Sequence, residues 1–145
     1  MSKYFEQLKV GGKFLGTSIT VTESHIVFYG CLVGDLAPLH MNAEYVKKHS
    51  PFGTRIAHGM LTASLVVPSM ANLDAHIIHH LGEKFAFKGP VLIGDTISAE
   101  WEVIRLTPKK EWGIVDIQMV VQNQRGEVIL VGESTVAVRY APKGQ

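Results

Sequence analysis

Three successive stretches in the last third of the chain read as extended strands, two by alternation of apolar and polar residues and the third by its β-branched content. From Asp95 onward, Ile97, Ala99, Trp101 and Val103 fall on one side and Thr96, Ser98, Glu100 and Glu102 on the other, the period-two signature of a half-buried strand. Trp112 to Val121 repeats the pattern with Val115, Ile117, Met119 and Val121, and Val128 to Tyr140 is a long run rich in β-branched residues. Between the last two, "NQRGEV" (Asn123 to Val128) places Gly126 where a tight connection belongs, so the strands are expected to be antiparallel. A sheet with one apolar face must bury that face against another layer. The chain offers one suitable cover, "AHGMLTASLVVPSMANL" (Ala57 to Leu73), nearly uncharged through its first three turns and so read as a buried helix. Pro68 should end or kink it, because the ring removes a backbone donor and crowds the preceding turn. Phe14 to Val21 reads as an earlier strand, and Thr22 with Glu23, Ser24 and His25 can cap a helix running to about Leu32. The expected architecture is α+β, an antiparallel sheet wrapped around a central apolar helix.

At 145 residues and 46% hydrophobic, with no repeat or linker, the chain reads as one domain spanning 1–145. Its net charge of +1, from 14 basic and 13 acidic residues, sets up no broad field, so neither nucleic acid nor a membrane is expected as a partner. Binding should be local, at a pocket. The start lacks a secretory h-region, and apolar runs such as Leu65 to Val67 stop at Pro68, far short of a bilayer span. A cytoplasmic location is the expectation. Cys31, alone, can form no internal disulfide and reads as a small core filler. "HIIHH" puts His76 and His80 at the i,i+4 spacing of one helix face, but no Glu or Cys stands at a zinc-binding spacing around them; an exposed helix or loop is expected there, and no metal. Phosphate-cradling and nucleophile-elbow motifs are missing, which removes nucleotide hydrolysis, Rossmann hydride transfer and α/β-hydrolase chemistry from consideration.

The chemistry concentrates in "VGDLAPLHMN", Val33 to Asn42, where Asp35 and His40 stand five positions apart among aliphatic residues. A carboxylate and an imidazole in such surroundings must be solvated or hydrogen-bonded. Taken alone, the pair can be an Asp35 cap on a short helix starting near Asn42 and a satisfied interior His40.

Read onward through "GDLAPLHMNAEYVKKHSPFGTRIAHGMLTAS", the stretch resembles the (R)-specific enoyl-CoA hydratases and MaoC-like dehydratases of the hot-dog fold. Their signature is a Gly-Asp, a Pro, an apolar residue and a His, then a short helix and a His-Gly-Met/Leu step into the central helix. The likeness extends to "FKGPVLIGDTISAEWEV" and "NQRGEVILVGESTVAV". It implies that Asp35 and His40 hold a water for addition across the C2–C3 bond of a trans-2-enoyl-CoA, giving an (R)-3-hydroxyacyl-CoA or the reverse. Histidine exchanges protons near neutral pH and a carboxylate can orient it and the water. The resemblance also implies that Gly59, opening the helix, presents its N–H to the thioester oxygen, that Ser64 supports the site, and that His58 fixes the turn by bonding nearby backbone. It implies no cofactor beyond the coenzyme A of the substrate, an acyl-CoA partner, and a homodimer or higher homo-oligomer.

The chain departs from the family where Asn often follows the aspartate by two residues: here that position is Ala37. An amide lost there removes hydrogen-bonding capacity beside the water. A hot-dog acyl-CoA thioesterase and a catalytically idle acyl-CoA binding subunit share the scaffold and stand as rivals. Arg55, Lys84, Lys88, Lys109 and Lys110 are candidate phosphate contacts, and Tyr29, Phe52, Met60 and Phe85 are candidate walls for the acyl tunnel, whose depth the sequence leaves open.

Overall fold

A computed structural model describes residues 2–142. After a single 3-10 turn at Phe5–Gln7, strand β1 (Lys13–Thr20) leads into helices α1 (Glu23–Val33), α2 (Pro38–Met41), α3 (Ala43–His49) and α4 (Gly59–Val66). A 3-10 helix, Val67–Leu73, continues α4, and strands β2 (Ile77–Phe87), β3 (Thr96–Pro108), β4 (Gly113–Asn123) and β5 (Val128–Val138) complete the chain. The five strands form one antiparallel sheet in the order β1-β3-β4-β5-β2. Strand β2 is thus spatially far from β3, its successor in sequence, and lies at the sheet edge.

The alternation of the sequence becomes the core directly. Ile97, Ala99, Trp101 and Val103 of β3, and Val115, Ile117, Met119 and Val121 of β4, are all at most 2% exposed. They pack with Leu61, Ala63 and Val66 of α4, and burying each such aliphatic side chain contributes about 1.5–3 kcal/mol. Trp101 also donates its indole N–H to Ser69 Oγ at 3.2 Å. Ser69 in turn donates to the Val66 carbonyl at 2.6 Å, so the tryptophan latches the 3-10 helix onto the sheet.

The break expected at Pro68 occurs: within Ala57 to Leu73 the chain is α-helical over Gly59–Val66 and continues as 3-10 over Val67–Leu73, because the proline withholds the N–H that the α ladder needs. Three other expectations change. The helix is not buried on all sides, for Met60 and Ser64 are exposed. The segment holding His76, His79 and His80 is no exposed helix or loop; it leads into and forms β2, paired with β5. Residues four apart in a strand lie about 13 Å apart, so the two-histidine face does not exist. His76 instead stacks on Tyr4 with ring centroids 4.3 Å apart, His79 meets Trp112 edge-on, and His80 pairs with Glu83. Cys31 is exposed rather than a core filler: α1 turns Ile26 and Gly30 inward, which leaves Cys31 facing out with Phe28 and Leu32.

One buried carboxylate braces the end of the sheet at the β4–β5 hairpin. Asp95, 3% exposed, accepts from the Leu92 amide at 2.9 Å, from Gln124 at 2.8 Å and from Arg125 at 2.7 Å, tying the chain before β3 to the β4–β5 hairpin. Burial alone pushes its carboxyl pKa up, but the hydrogen bonds from Arg125, Leu92 and Gln124 outweigh it and hold the group below the usual carboxylate range. A lowered native pKa gives stability that is complete above the unfolded value and is lost as pH falls through the native one. Asp95→Asn should therefore lower the unfolding free energy at pH 7 by about 2 kcal/mol, less than for a fully buried pair because Arg125 still reaches water. The difference between wild type and variant should begin to shrink as pH falls below about 4 and close only below the lowered native value. Urea denaturation across pH 2–7 checks both.

Candidate active site

The site begins where α1 stops. Gly34, at φ 78°, ends the helix in the left-handed region and gives its N–H to the Gly30 carbonyl at 2.9 Å, a conformation that a side chain would strain. The chain then doubles back over α1 so closely that a Cβ on Gly30 would lie 3.0 Å from the Asp35 carbonyl and 3.4 Å from His58. Pro38 starts α2 at its first position, with φ already suited to a helix, and α2 carries His40. Asn42, not Asp35, caps α3, accepting from the Tyr45 amide at 2.9 Å.

Each histidine of the site is pinned by a main-chain carbonyl. His40 Nδ1 lies 2.8 Å from the Ile56 carbonyl and His58 Nε2 lies 2.9 Å from the Asp35 carbonyl. A carbonyl only accepts, so those nitrogens donate, and His40 Nε2 and His58 Nδ1 are the ones left for other partners. The two rings stack with centroids 3.9 Å apart and planes 29° apart, and Tyr29 stands 5.2 Å from His58 on its other side. Asp35, exposed, receives the Ala37 N–H on Oδ1 at 3.3 Å. The backbone at Ala37 thus steadies the carboxylate, although the side chain there offers nothing.

Asp35, His40 and His58 each present one polar atom within 4.8 Å of the others. These are acceptor atoms gathered at one place, able to hold a small polar species such as a water between them. His58 is 3% exposed, and its Nδ1 has no partner among the described residues.

Beside His40 a groove of about 450 Å³ runs along the N-terminus of α4, walled by Phe52, Ile56, Thr62, Phe87 and Val91 and opening on Gly59. Gly59 is the first residue of α4, so its N–H has no acceptor within the helix. The structure therefore places Asp35, His40, His58 and Gly59 together. Ser64 stands apart: it is exposed, its Oγ donates to the Met60 carbonyl at 2.7 Å, and it lines a separate slot with Met60, Glu83 and Phe85. The hydroxyl is spent one turn back along its own helix, on the face turned from the groove. Of the tunnel candidates, Phe52 walls the groove, Tyr29 buttresses His58, and Met60 and Phe85 belong to the other slot. Sequence reasoning missed the Ile56 carbonyl, which no side chain advertises, and Thr62 and Phe87. The quoted stretch that starts at Phe87 was the available signal for the latter.

A five-stranded antiparallel sheet curled over one helix, with a carboxylate and an imidazole at the helix N-terminus, is the hot-dog fold. Residues 6–128 match the family model described as the MaoC like domain, and the chain belongs to that family. It is 35% identical over 136 residues to an (R)-specific enoyl-CoA hydratase of Rhodospirillum rubrum, covering 93% of this chain and 91% of the relative. A 3-hydroxybutyryl-CoA dehydratase of Methylorubrum extorquens is 32% identical over 136 residues, 93% of this chain and 83% of the relative. Among solved structures, an Archaeoglobus protein described as a monoamine oxidase regulatory protein superposes with a TM-score of 0.90 at 35% identity, covering 97% of each chain. Among the described residues, no helix is long and apolar enough to cross a membrane.

Proposed function

We propose that this protein adds water reversibly across the double bond of a trans-2-enoyl-CoA, forming an (R)-3-hydroxyacyl-CoA. The observation that carries the reading is the carbonyl-pinned His40, clustered with Asp35 and His58 so that one polar atom of each lies within 4.8 Å of the others, beside a groove that ends on an unpaired helix N–H. In hydration the dyad takes one proton from the water as its oxygen bonds to C3. The electron pair displaced toward the thioester oxygen is met by the Gly59 N–H and the positive end of α4. C2 then receives a proton from the dyad on the same face, so the addition is syn and the dyad is restored. The carboxylate and the imidazole serve the same water and act as one unit. Nothing beyond the coenzyme A of the substrate is required. The names of the hydratase and dehydratase relatives support both directions of this reaction.

The test is incubation of the purified protein with crotonyl-CoA, following loss of the conjugated absorbance, free thiol, and the chirality of the product. The expected product is (R)-3-hydroxybutyryl-CoA with no thiol released. Thiol release without the alcohol would make the protein a thioesterase, and tight binding without either product would make it an idle acyl-CoA binding subunit.

The reading includes a homodimer. Strand β2 leaves one edge unpaired, Leu81 on it is 50% exposed, and Met60 of α4 beside it is 49% exposed; an open strand edge next to apolar surface invites a second copy. Sedimentation equilibrium at micromolar concentration should give twice the 15.9 kDa chain mass, and a mass of one chain would remove this part of the proposal.

A further inference from the structure

Strand β1 ends the sheet on the side away from β2. Where it begins, it and the chain before it bound a hollow of about 210 Å³ that no step of the hydration uses. Leu8, Phe14, Leu73 and Val103 line it together with Lys3, Gln7, Lys9 and Lys13. Leu8, Leu73 and Val103 are at most 7% exposed, whereas the three lysines and Gln7 are exposed. The apolar residues therefore make a floor and the polar ones a rim.

Every polar side chain on that rim is a donor. An ammonium group has no acceptor atom, and Gln7 spends its Oε1 on the Tyr4 amide at 2.8 Å, which leaves its Nε2 to donate. Among the described residues no acidic side chain lines the hollow. The carboxylates around it are engaged: Asp74 takes the Ser2 hydroxyl at 2.9 Å, Glu6 takes the Ala141 amide at 3.2 Å, and Glu102 pairs with Lys13 at 3.4 Å across exposed surface. Among the described residues Lys3 and Lys9 have no ion-pair partner. In a chain whose net charge is only +1, three ammonium groups on one hollow repel one another and raise a local positive potential that a bound anion relieves.

A cationic rim over an apolar floor fits an anion with a short apolar tail. At about 30 Å³ for each water-sized group, the hollow has room for roughly seven non-hydrogen atoms. We propose that it binds a small carboxylate with an aliphatic tail, the head group on Lys3, Lys9 and Gln7 and the tail against Leu8, Phe14 and Leu73. The site is separate from the groove at Gly59. Leu73 closes the 3-10 helix that continues α4, which puts it up to about 25 Å from Gly59 along the helix axis. Pairing of two copies through β2 leaves the hollow open, because β1 is the opposite edge. Nothing in this site depends on the chemistry at Gly59, so failure of the hydration assay would leave it standing.

The probe is hexanoate, with 1-hexanol and acetate as ligands that share only its tail or only its head group. By calorimetry hexanoate should bind at least tenfold more tightly than either. Lys3→Gln/Lys9→Gln should weaken hexanoate about tenfold, the scale of two charge-assisted contacts at exposed positions, and leave hexanol unchanged. Lys47→Gln/Lys48→Gln removes the same charge from α3 and should leave hexanoate affinity within twofold. Unchanged melting temperatures in both double variants separate lost binding from lost folding. Phe14 lies parallel to Trp101 with ring centroids 6.0 Å apart, so hexanoate should also change Trp101 fluorescence in a Trp112→Phe background, where Trp101 is the only tryptophan. Hexanol or acetate binding as tightly as hexanoate, no measurable hexanoate binding, or equal affinity in wild type and Lys3→Gln/Lys9→Gln would each overturn the proposal.

Discussion

Asp35→Asn and His40→Gln are each expected to lower the rate of crotonyl-CoA hydration by about 10³-fold, within the 10²–10⁴ range of positioned acid–base groups. The loss should fall on kcat, because neither side chain is needed to bind coenzyme A. Asp35→Asn keeps the shape and the contact with the Ala37 N–H but removes the negative charge that holds and polarises the water. His40→Gln keeps a polar group near the Ile56 carbonyl but removes the nitrogen that exchanges a proton near neutral pH. The double variant should be little worse than either single one, since groups acting on one water lose their effect together. Both residues sit on the outer surface of the fold, Asp35 exposed and His40 half-buried, so thermal melting should change by no more than a few degrees. A rate that survives both changes would place the chemistry elsewhere.

The largest expected effect on stability belongs to Trp101→Ala, at about 3–5 kcal/mol. The side chain is 1% exposed, lies parallel to Phe14 with ring centroids 6.0 Å apart, and sits so close to β1 that a Cβ on Gly16 would come within 2.7 Å of its Nε1. Truncation leaves a cavity between β1, β3 and the 3-10 helix and takes the donor from Ser69 Oγ. Trp101→Phe keeps most of the volume and loses only the N–H, so it should cost about 1 kcal/mol. Urea titration of the three proteins separates the packing contribution from the hydrogen bond. Equal loss in both variants would mean that the bond to Ser69, not the buried volume, holds the 3-10 helix.

The sequence shows β3 and β4 clearly because their inward side chains are buried and apolar at every second position, and it shows β5, with most of its residues buried or half-buried, through β-branched content instead. Strand β2 is hidden for the converse reason. At the sheet edge most of its residues keep contact with water, Gly82 interrupts it, and its register with β5 shifts twice, between Ile77 and His79 and between His80 and Gly82. Helix α1 misleads through composition, since Phe28, Leu32 and Val33 are exposed apolar residues and apolar residues on every side carry no information about which face is inward. The same apolar surroundings make Cys31 read as core although it is exposed. Asp35 and His40 could be chosen through resemblance to a spaced motif. The stacking of His40 on His58, 18 residues later in the chain, arises only once α4 is folded against α1.

The two carbonyls that pin the histidines belong to Asp35 and Ile56 and would be present whatever side chains those positions carried. Ring orientation is therefore encoded by the path of the chain, not by neighbouring residue identity. A loop built this way can exchange residues such as Leu36, Leu39 and Met41 for others of similar bulk without turning either imidazole. It can likewise carry an alanine at position 37, because the contact to the Asp35 carboxylate comes from an amide common to all residues but proline. Mutational drift through this segment is thereby uncoupled from the reacting geometry, which leaves the sequence around the dyad free to diverge widely while the dyad keeps its form.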